Sequence, residues 1–445
     1  MDETLFDLPP GSRSEPATIP AGRPRLQRPD RDQVELRPTH LDGLLPPDHR
    51  ARLVWEFVTG LDLGPLYGRI RAVEGGPERP PIDPAILVSL WLYATLEGVG
   101  SARALARLCE EHDAYRWLCG GVGVNHHTLA DARVDHADSL DDLLTSSVAA
   151  LLVDGLVTME RVAQDGMRVR AAAGAASFRR RETLDTALVA AEAQVAALRA
   201  ELEDDPAATS RRVAAARERA ARERAERVRG ALDRLPAAAA ARRRNGQPVE
   251  RARTSTTDPE ARIMKMADGG FRPAVNAQLA TDTASQVIVG LELGNVGSDK
   301  GRLGPMVDQL ERRHGRAPGA MLVDGGFVDQ TEIETLSTTH CGMLIYAPPR
   351  RPSDPRRDPH MPRSDDPPAV AAWRIRMGTP EGQAIYRERA ATAECVNAIA
   401  RNRGLLRIPV RGLAKARAVL LWFALAHNLL RTVALRRAAD VGAGG

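Results

Sequence analysis

Three carboxylates far apart in the chain, Asp165, Asp324 and Glu394, carry the chemistry this sequence offers. Asp324 ends the apolar run "MLVD" and is followed by Gly325 and Gly326; the next stretch, "GFVDQTEIETL", patterns as a helix and not as a returning strand. Open α/β sheets place their chemistry at such a position, a carboxylate at the C-terminal end of a strand with glycines that let backbone or ligand come close. Asp165 stands after another β-like run, in "ERVAQDGMRVR". Asp-Gly is the strongest short hairpin signal, so its own neighbourhood reads as a type I′ turn between "ERVAQ" and "MRVRA". Two acids from separate strands need a third oxygen donor to close a Mg²⁺ site, because that ion takes oxygen ligands at about 2.0–2.1 Å. Glu394 is the candidate. On "YRERAATAECVNAIARNR" Tyr386, Ala390, Glu394, Ala398 and Arg401 share a helix face, with Arg389 three residues after Tyr386. The surrounding small apolar residues make a lone carboxylate costly unless it is paired or coordinated. An ordinary ion pair to Arg389 or Arg401 is the competing reading.

The elements that must position these groups follow from periodicity and punctuation. Residues 1–38, rich in Pro, Arg and Asp, have no periodicity and predict a disordered arm. From 39 to 157 the pattern is helical. Asp83 as N-cap, Pro84 at the first helical position and Gly98 after the last turn bracket one helix. Ser101 opens a second, Gly120 closes a third, and Thr128 and Ser139 are expected to cap two more. The short helices over 101–136 resemble a helix-turn-helix unit, as many all-α bundles do. Strand patterns occupy 158–172, "FRPAVNAQLATD", "QVIVGLELGN", the run ending at Asp324, and "GMLIYAPP". The stretch 350–370 is too polar to pack, and helices fill the remainder to about 435, ahead of a flexible tail at 436–445. This order predicts an α/β fold behind an α-helical N-terminal domain.

Between 178 and 250 the composition changes. Leu184, Leu188, Ala191, Val195, Leu198 and Leu202 repeat at spacings of four and three, a coiled-coil seam broken at Pro206. Residues 183–205 carry six acids and one Arg, whereas 209–235 carry nine Arg and four acids. Opposite charge on consecutive helices predicts an antiparallel helical hairpin, with its basic arm either solvated or set against DNA phosphate.

Bulk properties exclude several classes. Sixty-two Lys and Arg against 58 Asp and Glu give a formal charge of +4, which does not by itself announce a nucleic-acid binder. Cys109, Cys119, Cys341 and Cys395 form no Cys-x-x-Cys pair and are too few for a disulfide framework. With His126, His127 and His136, the first two match no common zinc spacing. No signal-peptide pattern opens the chain, and apolar runs such as "AVLLWFALAHNLL" fall short of the roughly 20 residues of a membrane span. The expectation is a soluble cytoplasmic protein. "TSTTDPEAR" reads either as a DNA-backbone contact or as a simple Asx or Ser/Thr turn.

"VAQDGMRVRA", "TDPEARIMKMADGGFRPAVNAQLA", "LVDGGF" and "YRERAATAECVNAIARNRGLLRIPVRGLAKARAVLLWFALAHNLLR" closely resemble DDE-type transposases of bacterial insertion sequences. Within these the similarity is to the eleven-eighty-two family of the insertion-sequence-five group, over about 36–435. Its signature is a Tyr, two residues, an Arg, four residues, a Glu, six residues and a basic residue, matched by Tyr386, Arg389, Glu394 and Arg401. The resemblance implies an RNase H-like core, a mixed sheet flanked by helices formed by 158–177 and 251–435, with the hairpin at 178–250 as an insertion. It implies that Asp165, Asp324 and Glu394 are catalytic and hold two Mg²⁺, for which Mn²⁺ can substitute. Tyr386, Arg389 and Arg401 would contact DNA. The implied partners are the element's terminal inverted repeats, target DNA and further copies of the chain in a synaptic dimer or higher oligomer, nucleoid-associated when bound. The alternatives are an RNase H-like nuclease and a domesticated, catalytically inactive DNA-binding derivative.

Overall fold

The computed structural model describes residues 40–72, 80–204, 211–340, 342–352, 354 and 356–443. The expected N-terminal arm, the helix break at Pro206 and Cys341 lie outside them. Among the described residues eight strands form, in chain order β1 (Arg161–Arg170), β2 (Phe178–Arg179), β3 (Thr254–Ser255), β4 (Arg262–Lys265), β5 (Phe271–Asp282), β6 (Ile288–Gly294), β7 (Ala320–Leu322) and β8 (Leu344–Tyr346). Six of them make one mixed sheet, and β2 and β3 pair separately. β1 runs antiparallel to β5 from Val162↔Asp282 to Arg170↔Ala274 and parallel to β7, which is parallel to β8. Both β4 and β6 pair with β5, on the edge away from β1.

β1 overturns the turn reading of Asp165. The strand passes straight through Asp165 and Gly166, each paired with a residue of β5. The hairpin signal is local, whereas a register of paired residues and buried neighbours, Ala163, Met167 and Val169 among them, holds the strand extended.

Among the described residues seven α-helices precede the sheet: α1 (Arg50–Thr59), α2 (Gly64–Tyr67), α3 (Pro84–Leu96), α4 (Ala102–Glu111), α5 (Asp113–Cys119), α6 (His126–Val134) and α7 (Ala137–Val153). Asp83 and Ser101 cap α3 and α4 as expected, and Gly120 ends α5 in the left-handed conformation. Two caps fall elsewhere. Asn125 caps α6 by accepting from the N–H groups of His127 and Thr128, and α7 begins before Ser139, which is buried within it. An Asn upstream with free backbone geometry takes the capping place before Thr128 can. Cys109 and Cys119 meet in the core as free thiols. Among the described residues no group of His, Cys, Asp or Glu is arranged to hold a metal ion.

The inserted segment is helical, α8 (Arg181–Asp204) and α9 (Arg211–Arg244), and the two pack side by side. Glu192 pairs with Arg229 at 2.7 Å and Arg199 with Glu218 at 3.1 Å; as one partner advances the other retreats, so the arms are antiparallel. Leu184 and Ala191 of the expected seam are buried, Leu184 in one cluster with Val228, Ala231 and Leu235 of α9.

Beyond the hairpin come α10 (Leu303–His314), α11 (Gln330–Thr339), α12 (Pro368–Gly378), α13 (Pro380–Arg389), α14 (Cys395–Asn402) and α15 (Leu413–Ala443), with a π-turn at Ala390–Glu394 joining α13 to α14. The loop taken as too polar to pack contributes Asp366, which forms an ion pair with Arg374 at 2.7 Å while both side chains are nearly inaccessible. Such a pair survives burial only when hydrogen-bonded, and Arg363 N–H and the Pro359 carbonyl supply the further bonds. α15 remains helical through Ala443, taking in most of the tail expected at 436–445.

α15 is long and apolar enough to cross a membrane by length and composition alone, contrary to the reading of its apolar run as too short. Most of its apolar stretch is buried in the protein's own core, which accounts for the composition. Asn428 fastens it to the sheet: its Oδ1 accepts from Ile288 N–H and its Nδ2 donates to the Ile288 carbonyl, both at 2.8 Å. Trp422 on the same helix donates to the Arg133 carbonyl at the end of α6, so the N-terminal helices and the sheet share one core.

His427, buried on α15 with Nε2 2.9 Å from the Gln286 carbonyl, gives a pH prediction. Burial pulls its pKa from 6.5 down to about 4. Between those values the unfolded chain binds a proton that the folded chain refuses, so stability falls as pH drops through that window, by about 3 kcal/mol in all. Urea melts from pH 7 to 4 are expected to show this decline, and His427→Gln is expected to remove that share of it.

Candidate active site

The sheet sets two of the three acids side by side. β1 and β7 are parallel with Ala163 opposite Leu322, and Asp165 and Asp324 each lie two residues further on. Alternation along parallel strands puts both side chains on one face, across strands about 4.7–4.9 Å apart. Asp324 leaves β7 into a turn in which its Oδ1 accepts from Gly326 N–H at 2.7 Å. A Cβ on Gly326 would stand 2.9 Å from that oxygen. The glycine therefore makes room for the aspartate's own carboxylate, a closer reason for it than clearance for a ligand.

The third acid arrives on the helix packed over this face. Thr379 caps α13, and Glu388 ties the helix to the start of β1 through an ion pair with Arg161 at 2.9 Å. Arg389 and Glu394 are five residues apart, which in an α-helix sets them about 140° apart. The π-turn, with its i→i+5 bonding, brings them into line. Thr392 Oγ1, donating to the Glu388 carbonyl at 2.8 Å, helps hold that wider turn.

Arg389 lies between the acids. Its Nη2 is 3.1 Å from Asp165 Oδ1 and its Nη1 3.1 Å from Glu394 Oε1. Asp165 is held from two further sides, by Gly166 N–H to Oδ1 at 3.0 Å and by Asn397 Nδ2 to Oδ2 at 2.9 Å. Burial pushes the Asp165 carboxyl above the usual range; Arg389 pulls it back and the Asp324 charge adds to the rise. Burial works against the Arg389 charge, but the surrounding carboxylates outweigh it and keep the guanidinium protonated. Tyr386, half-buried, feels the charges of Arg389 and of all three acids, although burial is the main reason its hydroxyl is pushed up.

The structure thus gathers Asp165, Asp324, Glu394, Tyr386 and Arg389, and leaves Arg401 out. Arg401 is exposed two turns beyond Glu394, with no ion pair among the described residues. Glu394 is not in the apolar setting expected for it; its side chain is 58% exposed and tied to Arg389. Asn397 was not singled out in the sequence. It is an amide one turn after Glu394 on an otherwise apolar buried face with Val396 and Ala400, and this is the signal that points to it. Its Oδ1 is buried with no partner among the described residues.

Comparison with known families gives two matches. Residues 39–135 match the family described as Transposase domain (DUF772), and residues 365–433 match the family described as Transposase DDE domain. The second match contains Tyr386, Arg389, Glu394, Asn397 and Arg401; Asp165 and Asp324 fall outside both. No curated protein and no solved structure matches the chain. The two family matches, one on the N-terminal helices and one on the helix that carries Glu394, support a DDE-type transposase.

Proposed function

We propose that the chain is an insertion-sequence transposase, of the eleven-eighty-two kind, that cuts DNA at its element ends and joins them to target DNA. The observation that carries this reading is the meeting of Asp165, Asp324 and Glu394 around Arg389, from the middle of β1, the end of the adjacent β7 and one helix. An RNase H-like core is the matching proposal for the fold, supported by the order β6-β5-β1-β7-β8 with Asp165 on the first of these strands in chain order and Asp324 just after the fourth.

The donor set suits Mg²⁺ or Mn²⁺: three carboxylates and the unpartnered amide oxygen of Asn397 are all hard oxygen donors, and a positive charge is already drawn among them. Asp165, Asp324 and Glu394 would hold two ions. When bound, such ions stabilise the attacking and leaving oxygens of an in-line displacement at phosphorus. The residues supply the rest. Asn397 and Gly166 N–H fix Asp165, Gly326 N–H fixes Asp324, and Tyr386 offers a ring edge and hydroxyl to position a DNA strand. Arg401, exposed two turns on, would neutralise phosphate further along the strand. Water breaks the P–O3′ bond at the element end and leaves a 3′-OH, which then attacks a target phosphodiester and displaces its 3′ oxygen. Copies of the chain bringing two ends together complete the proposal.

The test is a nicking assay with the full chain on duplexes made from the DNA on either side of its coding region, where the proposal expects short inverted repeats. Nicks leaving 3′-OH ends, formed with Mg²⁺ and abolished by EDTA, are the expected result. Intact duplex with Mg²⁺ present, despite binding to the ends, would favour the inactive DNA-binding alternative instead.

A further inference from the structure

Arg389 fills the place of a cation. Its guanidinium bridges carboxylates from two elements, Asp165 on β1 and Glu394 on the π-turn, each at 3.1 Å. The arginine side chain is 11% exposed and Glu394 58%, so an acid free to point into water turns inward to the buried charge. Asp165 has a second set of partners of another kind. Asn397 Nδ2 and Gly166 N–H are neutral donors that orient the carboxylate and leave its charge uncompensated. One set of bonds fixes Asp165 and the other neutralises it.

Two features make the arginine's hold incomplete. Its Nε is buried with no partner among the described residues, so the planar fork is only partly used. Each carboxylate takes one nitrogen, whereas a guanidinium binds best to two oxygens of a single group, as a phosphate offers. Exposed Glu394 marks the open side from which a phosphate can reach the fork. Among the described residues these acids form no group that could hold an ion, and the Arg389 guanidinium stands between two of them. A divalent cation arriving there would meet a fixed positive charge among its own ligands.

We propose that Arg389 is an exchangeable internal counter-ion: it neutralises Asp165 and Glu394 in the DNA-free chain, and an incoming DNA phosphate takes the guanidinium over and frees both carboxylates for metal. This rests on the reading that Asp165, Asp324 and Glu394 hold the metal, and adds that metal loading and DNA arrival are coupled. The coupling is reciprocal by linkage, so DNA tightens metal binding by the same factor as metal tightens DNA binding. The chain without DNA is then a poor metal binder, and its hydrolytic centre assembles only on its substrate.

The test is Mn²⁺ titration of the full chain by calorimetry, alone and with a short duplex at low salt, the duplex's own Mn²⁺ uptake being subtracted. For the unmodified chain the duplex is expected to tighten Mn²⁺ binding about tenfold. Arg389→Gln is expected to bind Mn²⁺ about tenfold tighter than the unmodified chain without DNA, and to gain nothing further from the duplex. Should that variant not fold, Arg389→Lys, which offers one ammonium to two carboxylates, is expected to fall between the two. Mn²⁺ binding no tighter than in the unmodified chain, in whichever variant folds, overturns the proposal: Arg389 then organises the acids and does not occupy their charge. Asp165→Asn in the same titration separates the two readings. Its loss of Mn²⁺ binding keeps the metal site in place, and Mn²⁺ binding as tight as in the unmodified chain removes that site and this inference with it.

Discussion

Asp324→Asn is expected to lower metal-dependent cleavage at element ends by about 10³-fold or more while leaving the chain's stability and its binding to those ends within about twofold. The substitution keeps the shape of the side chain and its one observed bond, since an Asn oxygen can still accept from Gly326 N–H. What disappears is a negative charge beside Asp165 that forms no direct ion pair among the described residues, although it adds to the field that holds the Arg389 charge. Asp165→Asn is expected to cost as much activity but is the less clean experiment. Gly166 N–H, Arg389 and Asn397 all donate to Asp165, so an amide there must turn its own N–H groups toward a donor. A loss of about 1–3 kcal/mol of stability goes with that mismatch. Single-turnover nicking, anisotropy with a labelled end duplex, and thermal melts on both variants distinguish the effects. Cleavage retained in Asp324→Asn would remove the aspartate from the site whatever Asp165 does.

Legibility of the site in the sequence followed the range of each interaction. The strand end at Asp324 was readable because its context is local: an apolar strand, two glycines, then a helix. Asp165 was misread locally because Asp-Gly favours a tight turn, and only pairing with a strand more than a hundred residues away keeps it extended. The helix carrying Glu394 was readable by period, but the π-turn was not, since a wider turn leaves no compositional mark apart from the five-residue step from Arg389 to Glu394. That step also reversed the setting expected for Glu394, which small apolar neighbours suggested was enclosed and which is largely exposed. Arg389 was noted as a partner for Glu394, but its second bond to Asp165 is tertiary and had no sequence signal.

The fold shows the same division. The hairpin was legible because a seam at spacings of three and four and an opposition of charge along its two arms both lie within one segment, and Glu192–Arg229 and Arg199–Glu218 realise it. Caps were legible where one polar residue stood alone before a helix, as at Asp83, and misplaced where several competed, as with Asn125 and Thr128. Asp366 and Arg374 escaped because composition marks a polar stretch as loop, while a paired and hydrogen-bonded charge can be buried inside one.

Gly166→Ala is expected to cost about 3–5 kcal/mol, well above an ordinary surface substitution, because of what lies behind the face that carries Asp165. On the side of β1 opposite Asp165 sits a buried polar cluster around Asp299. Its Oδ1 accepts from Asn276 Nδ2 at 2.8 Å and Gln278 Nε2 at 2.6 Å, and its Oδ2 lies 3.2 Å from Arg168. A Cβ on Gly166 would stand 2.3 Å from Asp299 Oδ1 and 2.4 Å from Gln278 Nε2. Both are side-chain atoms, yet neither can retreat cheaply, since each holds the other and Asp299 also compensates Arg168. The glycine that looked like half of a turn is therefore the space in which the strand passes a buried carboxylate. Gly174→Ala is the matched control: φ is −93° there and nothing lies within 4 Å of the new methyl, so a change within about 0.5 kcal/mol is expected. Urea melts of both variants measure the difference. A Gly166→Ala chain as stable as the control would mean that the cluster is loosely held, and the strand that carries Asp165 would then owe its straightness to β5 and β7 alone.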